Sequence, residues 1–136
     1  MRILSCVIAV AALAGCSASS TSPKTPSIAG TWSLDSASPG VPPETMTLTE
    51  RGTVVSGTGS AMGVDVPIPV DVSGTFSLPT VTSPPLVSLI LQFANGGGLS
   101  AQFTGTLTSP NHFSGTMIYY GLTQVPQTGT ASYTRH

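Results

Sequence analysis

Leu99-Ser100-Ala101-Gln102-Phe103-Thr104-Gly105-Thr106-Leu107 decides how this chain folds. Leu99, Ala101, Phe103, Gly105 and Leu107 are apolar or small, and Ser100, Gln102, Thr104 and Thr106 between them are polar. Side chains alternate across a strand, so this spacing gives one face to a core and the other to water. A helix would scatter the same residues around its circumference. The pattern returns at Val70, Val72, Gly74, Phe76 and Leu78, set against Asp71, Ser73, Thr75 and Ser77. It returns again with Phe113, Gly115, Met117 and Tyr119 facing inward.

Extended in both directions, the period of two predicts eight strands, at 28–34, 44–50, 54–62, 70–78, 86–94, 99–107, 112–120 and 127–135. In the fifth, Val87, Leu89, Leu91 and Phe93 share a face, while Leu86 and Ile90 are apolar on the other, which predicts cover on both sides. Glu50-Arg51-Gly52 and Ser109-Pro110-Asn111 read as tight turns, and Asn95-Gly96-Gly97-Gly98 as a hairpin loop. No connection has room for a helical crossover, so consecutive strands are expected to be antiparallel.

Gly-Thr pairs recur at 30–31, 57–58, 74–75, 105–106, 115–116 and 129–130, with glycine on the apolar face each time. Glycine suits places where a sheet curls sharply. The expected fold is all-β: an eight-stranded antiparallel up-and-down meander barrel, with an open two-sheet β-sandwich as the alternative. In the barrel, the first strand starts and the last ends at one end. The connections 35–43, 63–69, 95–98 and 121–126 line the opposite mouth.

The N-terminal stretch obeys other rules. Arg2 precedes an apolar run from Ile3 to Leu13, about half the length a membrane-spanning helix needs. Small residues follow at Ala14 and Gly15, and then Cys16. Leu13-Ala14-Gly15-Cys16 resembles the lipobox of bacterial lipoproteins at all four positions. The resemblance implies diacylglyceryl transfer to the Cys16 thiol, cleavage before it and acylation of the new N-terminus. Two or more acyl chains make such an anchor durable. Residues 1–15 then form a lipoprotein signal peptide, 16–27 a lipidated flexible tether rich in Ser, Thr and Pro, and 28–136 the β-barrel domain. The expected location is the cell envelope, lipid-anchored. Ser17 rather than aspartate after the cysteine favours the outer membrane where a cell has one.

With Cys6 in the signal region and Cys16 acylated, the domain has no internal disulfide. Four Lys and Arg against five Asp and Glu leave no basic stripe, so nucleic acid is not an expected partner.

Gly30-Thr31-Trp32 resembles the Gly-x-Trp opening of lipocalin and avidin-like (calycin-type) barrels. In lipocalins an arginine near the end of the last strand packs over that tryptophan. The resemblance therefore implies a structural closure by Gly30, Trp32 and Arg135. Trp32 is the only tryptophan, whereas avidin-like biotin sites use several, which disfavours biotin. The small barrels of bacterial metalloprotease inhibitors are a further resemblance in shape, although those commonly carry a disulfide.

Neither His112 nor His136 sits at a ligand spacing from another histidine or a cysteine, and no catalytic residue, metal ligand or cofactor is assigned. Asp65 and Asp71 read as charges that keep Val66-Pro67-Ile68-Pro69-Val70 soluble. Two functions stay open. In one, the inward glycines leave volume for a small apolar ligand lined by Trp32, Phe76, Phe93, Phe103, Tyr119 and Tyr133. In the other, those aromatics simply fill the barrel. The lipoprotein is then structural or docks a protein partner through an exposed Val64–Val70 loop, a protease-inhibitor-like barrel included.

Cys16→Ser should abolish incorporation of labelled fatty acid; a variant that keeps the label would contradict the anchor.

Overall fold

The computed structural model describes residues 24–38, 42–63, 65–94, 98–121 and 125–136. The signal peptide, Cys16 and most of the tether lie outside the described residues.

Eight strands follow one another: β1 (Gly30–Ser38), β2 (Pro43–Arg51), β3 (Val54–Ala61), β4 (Ile68–Ser77), β5 (Leu86–Phe93), β6 (Ser100–Ser109), β7 (His112–Tyr120) and β8 (Gln127–Arg135). Each pairs antiparallel with the next, and β8 returns to β1, so the sheet closes into a barrel in chain order. The sandwich alternative is thereby excluded. Closure gives the backbone of the first and last strands a partner and removes the free edges an open sheet would expose.

β1 departs most from its expected bounds. Ile28 and Ala29 precede it because Ile28 is engaged at both ends. Its N–H donates to Glu50 Oε2 at 2.9 Å, and its carbonyl accepts from Trp32 Nε1 at 2.8 Å. Beyond Leu34 the strand continues through a register shift against β8, where Ser36 pairs with Ser132 and Asp35 is passed over. That bulge breaks the alternation, so the apolar pattern stops four residues before the strand does. The β1–β2 ladder runs only from Gly30↔Leu48 to Ser33↔Thr45, and the β1–β8 ladder carries β1 onward to Ser38. At the mouth end of β2, Pro42 and Pro43 have no N–H to offer β1.

The core is the barrel interior. Trp32, Met46, Leu48, Val55, Val72, Phe76, Leu89, Leu91, Phe103, Phe113, Met117 and Tyr133 are all buried there. Leu86 and Ile90 are exposed, so β5 is covered on one face only. Among the described residues nothing packs on the outside of the barrel to bury them. Leu78 is also exposed, because β4 ends at Ser77 and the chain turns away.

The inward glycines let the sheet curl as expected, but they do not leave the volume that was expected of them. A Cβ on Gly74 would stand 2.0 Å from the Ser88 carbonyl oxygen, and one on Gly105 2.2 Å from that of Ser114. The space beside these glycines is filled by the backbone of the neighbouring strand. They allow strands to curl against each other, and they leave no cavity. Gly74→Ala should therefore cost about 1–3 kcal/mol through overpacking against backbone. The outward Ser73→Ala should stay within about 0.5 kcal/mol. Urea midpoints compare the two, and equal midpoints would contradict the close approach.

Candidate functional site

The end of the barrel where β1 begins is plugged. Trp32 is fully buried, and the Arg135 guanidinium carbon lies 4.6 Å from its ring centroid. Arg135 Nη2 donates to the Ser27 carbonyl, and Ser27 Oγ donates to Glu50 Oε2 at 2.9 Å. Burial pulls the Arg135 pKa below its ordinary value, and the Glu50 carboxylate opposes that shift. Gly30 has φ +144°, and a Cβ there would meet the Arg135 side chain at 3.3 Å. Glycine therefore fits both the backbone and the packing of the arginine.

Above this plug the barrel is packed with rings. Phe113 stacks on Tyr133 with centroids 5.0 Å apart and meets Trp32 edge-on at 4.6 Å. Phe103 meets Phe113 edge-on at 5.4 Å and Tyr133 at 6.4 Å. Of the expected lining, Trp32, Phe76 and Tyr133 rise from the closed-end halves of their strands and Phe103 from near the middle of β6, while Phe93 and Tyr119 belong to the mouth ends of β5 and β7. Phe113 is the hub of the cluster and is absent from the expected lining. Its inward place in the β7 alternation was visible. Its central position depends on the Phe113↔Tyr133 and Phe113↔Leu107 pairings, which appear only once registers are known.

Toward the mouth small inward residues stand among large ones, since Phe93, Leu99 and Tyr119 are buried there as well. Ala61, Ala101, Gly129 and Ala131 are buried among Met46, Met117 and Leu91. Into this region the ring layer presents one unsatisfied polar atom: Tyr133 Oη is buried with no hydrogen-bond partner. Burial pushes the Tyr119 phenol up to about 12. Burial raises Tyr133 further, helped by the charge Tyr119 would carry if ionised. The phenols therefore lie within electrostatic reach inside the barrel, and both are protonated donors at neutral pH.

The Val64–Val70 loop divides. Val66 is exposed, Ile68 packs against the core and Val70 is buried inside it, while Val64 lies outside the described residues. The expected exposed patch shrinks to Val66 and is joined at the mouth by Met62 and Val125. Asp65 and Asp71 are both exposed.

On the outer wall, His112 Nδ1 is 2.7 Å from Thr108 Oγ1, and its Nε2 is 3.7 Å from Asp35 Oδ2, which accepts from Thr134 Oγ1 at 2.6 Å. The fold thus brings Asp35 to His112, a pairing sequence spacing does not reveal. The pair is open to solvent and 3.7 Å is beyond hydrogen-bond length. Among the described residues no three His, Cys, Asp or Glu side chains are grouped to hold a metal ion.

No protein-family model and no curated protein matches the sequence. Two solved structures are similar in fold. One is EF1p2_mFAP2b bound to DFHBI, at TM-score 0.58 and 17% identity over 79% of this chain and 93% of that one. The other is a redesigned beta barrel, mFAP1, bound to DFHBI, at TM-score 0.55 and 17% identity over 79% of this chain and 94% of that one. The likeness establishes the closed eight-stranded barrel.

Arg135→Ala should lower stability by about 2 kcal/mol, from the lost ring contact and the lost bond to Ser27. Arg135→Lys should recover only part, because an ammonium lacks the planar fork. An unchanged urea midpoint for Arg135→Ala would show that the plug does not hold the barrel.

Proposed function

We propose that this protein is a lipid-anchored lipoprotein of the cell envelope whose barrel holds a small, mostly apolar molecule in its mouth half. Where the cell has an outer membrane, that membrane carries the anchor. The reading rests on one observation above all: Tyr133 Oη is buried in the interior without a partner. A buried hydroxyl left unpaired costs about 1–3 kcal/mol, a cost that a ligand acceptor would remove. The ring cluster beneath it forms a floor. Ala61, Ala101 and Gly129 are small places in a wall that Phe93, Leu99 and Tyr119 otherwise fill, and Met117 adapts in shape. The β1–β2 seam, unladdered beyond Ser33↔Thr45 among the described residues, offers a way in. Two protonated phenols with no cation beside them suit a neutral acceptor such as a carbonyl better than a carboxylate. The solved barrels of similar fold bound to DFHBI are compatible with this use of the interior.

A protein-docking role for the mouth has its own support in the exposed Met62, Val66 and Val125. A catalytic role has less, since His112 and Asp35 sit on the open outer wall. We therefore read the protein as a binding protein and not as an enzyme.

Native mass spectrometry of the protein purified from its own host's membranes tests the proposal. The expected result is excess mass that denaturation releases as a small apolar molecule. Tyr133→Phe should cut that occupancy about tenfold or more, and it should raise the melting temperature of the empty protein by removing an unsatisfied group. A bare acylated chain, together with a lower melting temperature for Tyr133→Phe, would contradict the reading.

A further inference from the structure

The barrel has two ends that expose apolar side chains, and they differ in charge. At the closed end, β4 and β5 are joined by Leu78-Pro79-Thr80-Val81-Thr82-Ser83-Pro84-Pro85. The Thr80 N–H donates to the Ser83 carbonyl at 2.9 Å, a turn that carries Val81 wholly into solvent. Leu78 and Leu86 at the base of this loop, and Val54 at the start of β3, are exposed as well. Val54 pairs with Arg51 across the β2–β3 turn. Lys24 lines a cleft of about 350 Å³ at the same end, together with Pro85. Two cations thus share the closed end with an apolar tip.

Among the described residues, neither cation is in an ion pair. The nearby carboxylate, Glu50, is already held by Ser27 Oγ and the Ile28 N–H and faces Arg135. The mouth is the reverse. Its exposed Met62 and Val66 adjoin Asp65, and Glu44 and Asp71 lie on the mouth halves of β2 and β4.

We propose that the closed end is a contact surface for an anionic phospholipid bilayer, with the Val81 loop entering the interface and Lys24 and Arg51 meeting lipid headgroups. An apolar tip flanked by Lys and Arg buries its side chains at the acyl boundary while the cations stay among the phosphates. The acidic mouth is repelled from the same surface and points away. This surface acts independently of Cys16 and of any ligand in the barrel.

The test uses residues 17–136 without the acyl anchor. Every ladder pair lies between residues 30 and 135, so this piece retains the whole closed barrel. Flotation with vesicles of phosphatidylglycerol in phosphatidylcholine is compared with pure phosphatidylcholine. The protein should float with the anionic vesicles only, and less as salt rises. Arg51→Gln should weaken partitioning about fivefold, as the loss of one surface cation implies. Val81→Ser should weaken it too, whereas Met62→Ser and Val66→Ser should leave it unchanged. Unchanged Trp32 emission in each variant confirms the intact barrel. No flotation with anionic vesicles, insensitivity to Arg51→Gln, or equal loss from the mouth variants would overturn the proposal.

Discussion

The structure depends on one knot at the closed end. Trp32, buried on β1, binds the Ile28 carbonyl through its indole N–H and carries the Arg135 guanidinium on its face. Arg135 comes from the end of β8 and also holds the Ser27 carbonyl, while Glu50 from β2 secures the Ser27 hydroxyl and the Ile28 N–H. The first, second and last strands are therefore fastened together with the segment that leads into the barrel. Backbone pairing alone would allow β1 and β8 to slip or part. Burying a tryptophan under a cation fixes their register at the place where the sheet must close.

From that knot the barrel divides into unlike halves. Trp32, Phe103, Phe113 and Tyr133 interlock as a solid layer, with Phe113 touching the other three. Toward the mouth, Ala61, Ala101 and Gly129 stand among Phe93, Leu99 and Tyr119, and the ring layer ends in a phenol with no hydrogen-bond partner. Charge is distributed along the same axis: Lys24 and Arg51 stand at the floor end, where Glu50 is held by Ser27 and Ile28 and Asp35 by Thr134, and Glu44, Asp65 and Asp71 lie toward the mouth.

Much of this was legible in the residues. Alternation placed β6, β7 and β8 almost to the residue, because each buries one face and bathes the other. Gly30, Trp32 and Arg135 could be singled out as a closure by resemblance alone. The misreadings share a cause: they needed a neighbour that sequence does not supply. The Asp35 bulge hides the second half of β1, and its reason lies in β8. Gly74 and Gly105 read as empty space until the backbone of the next strand is seen to fill it. Leu86 and Ile90 looked covered because leucine and isoleucine usually are, yet none of the described residues packs outside this barrel to cover them. Val70 and Val66 looked alike, and only the start of β4 separates the buried one from the exposed one.

Amide hydrogen exchange along the β1–β8 seam tests the account most directly. The Trp32↔Arg135 and Leu34↔Tyr133 pairs lie beside the knot and belong to no free edge. Their amides should exchange as slowly as those of β6 and β7, through global unfolding only. Rapid exchange along β1 or β8 under native conditions would show an open sheet with two free edges, and the closed barrel would have to be given up.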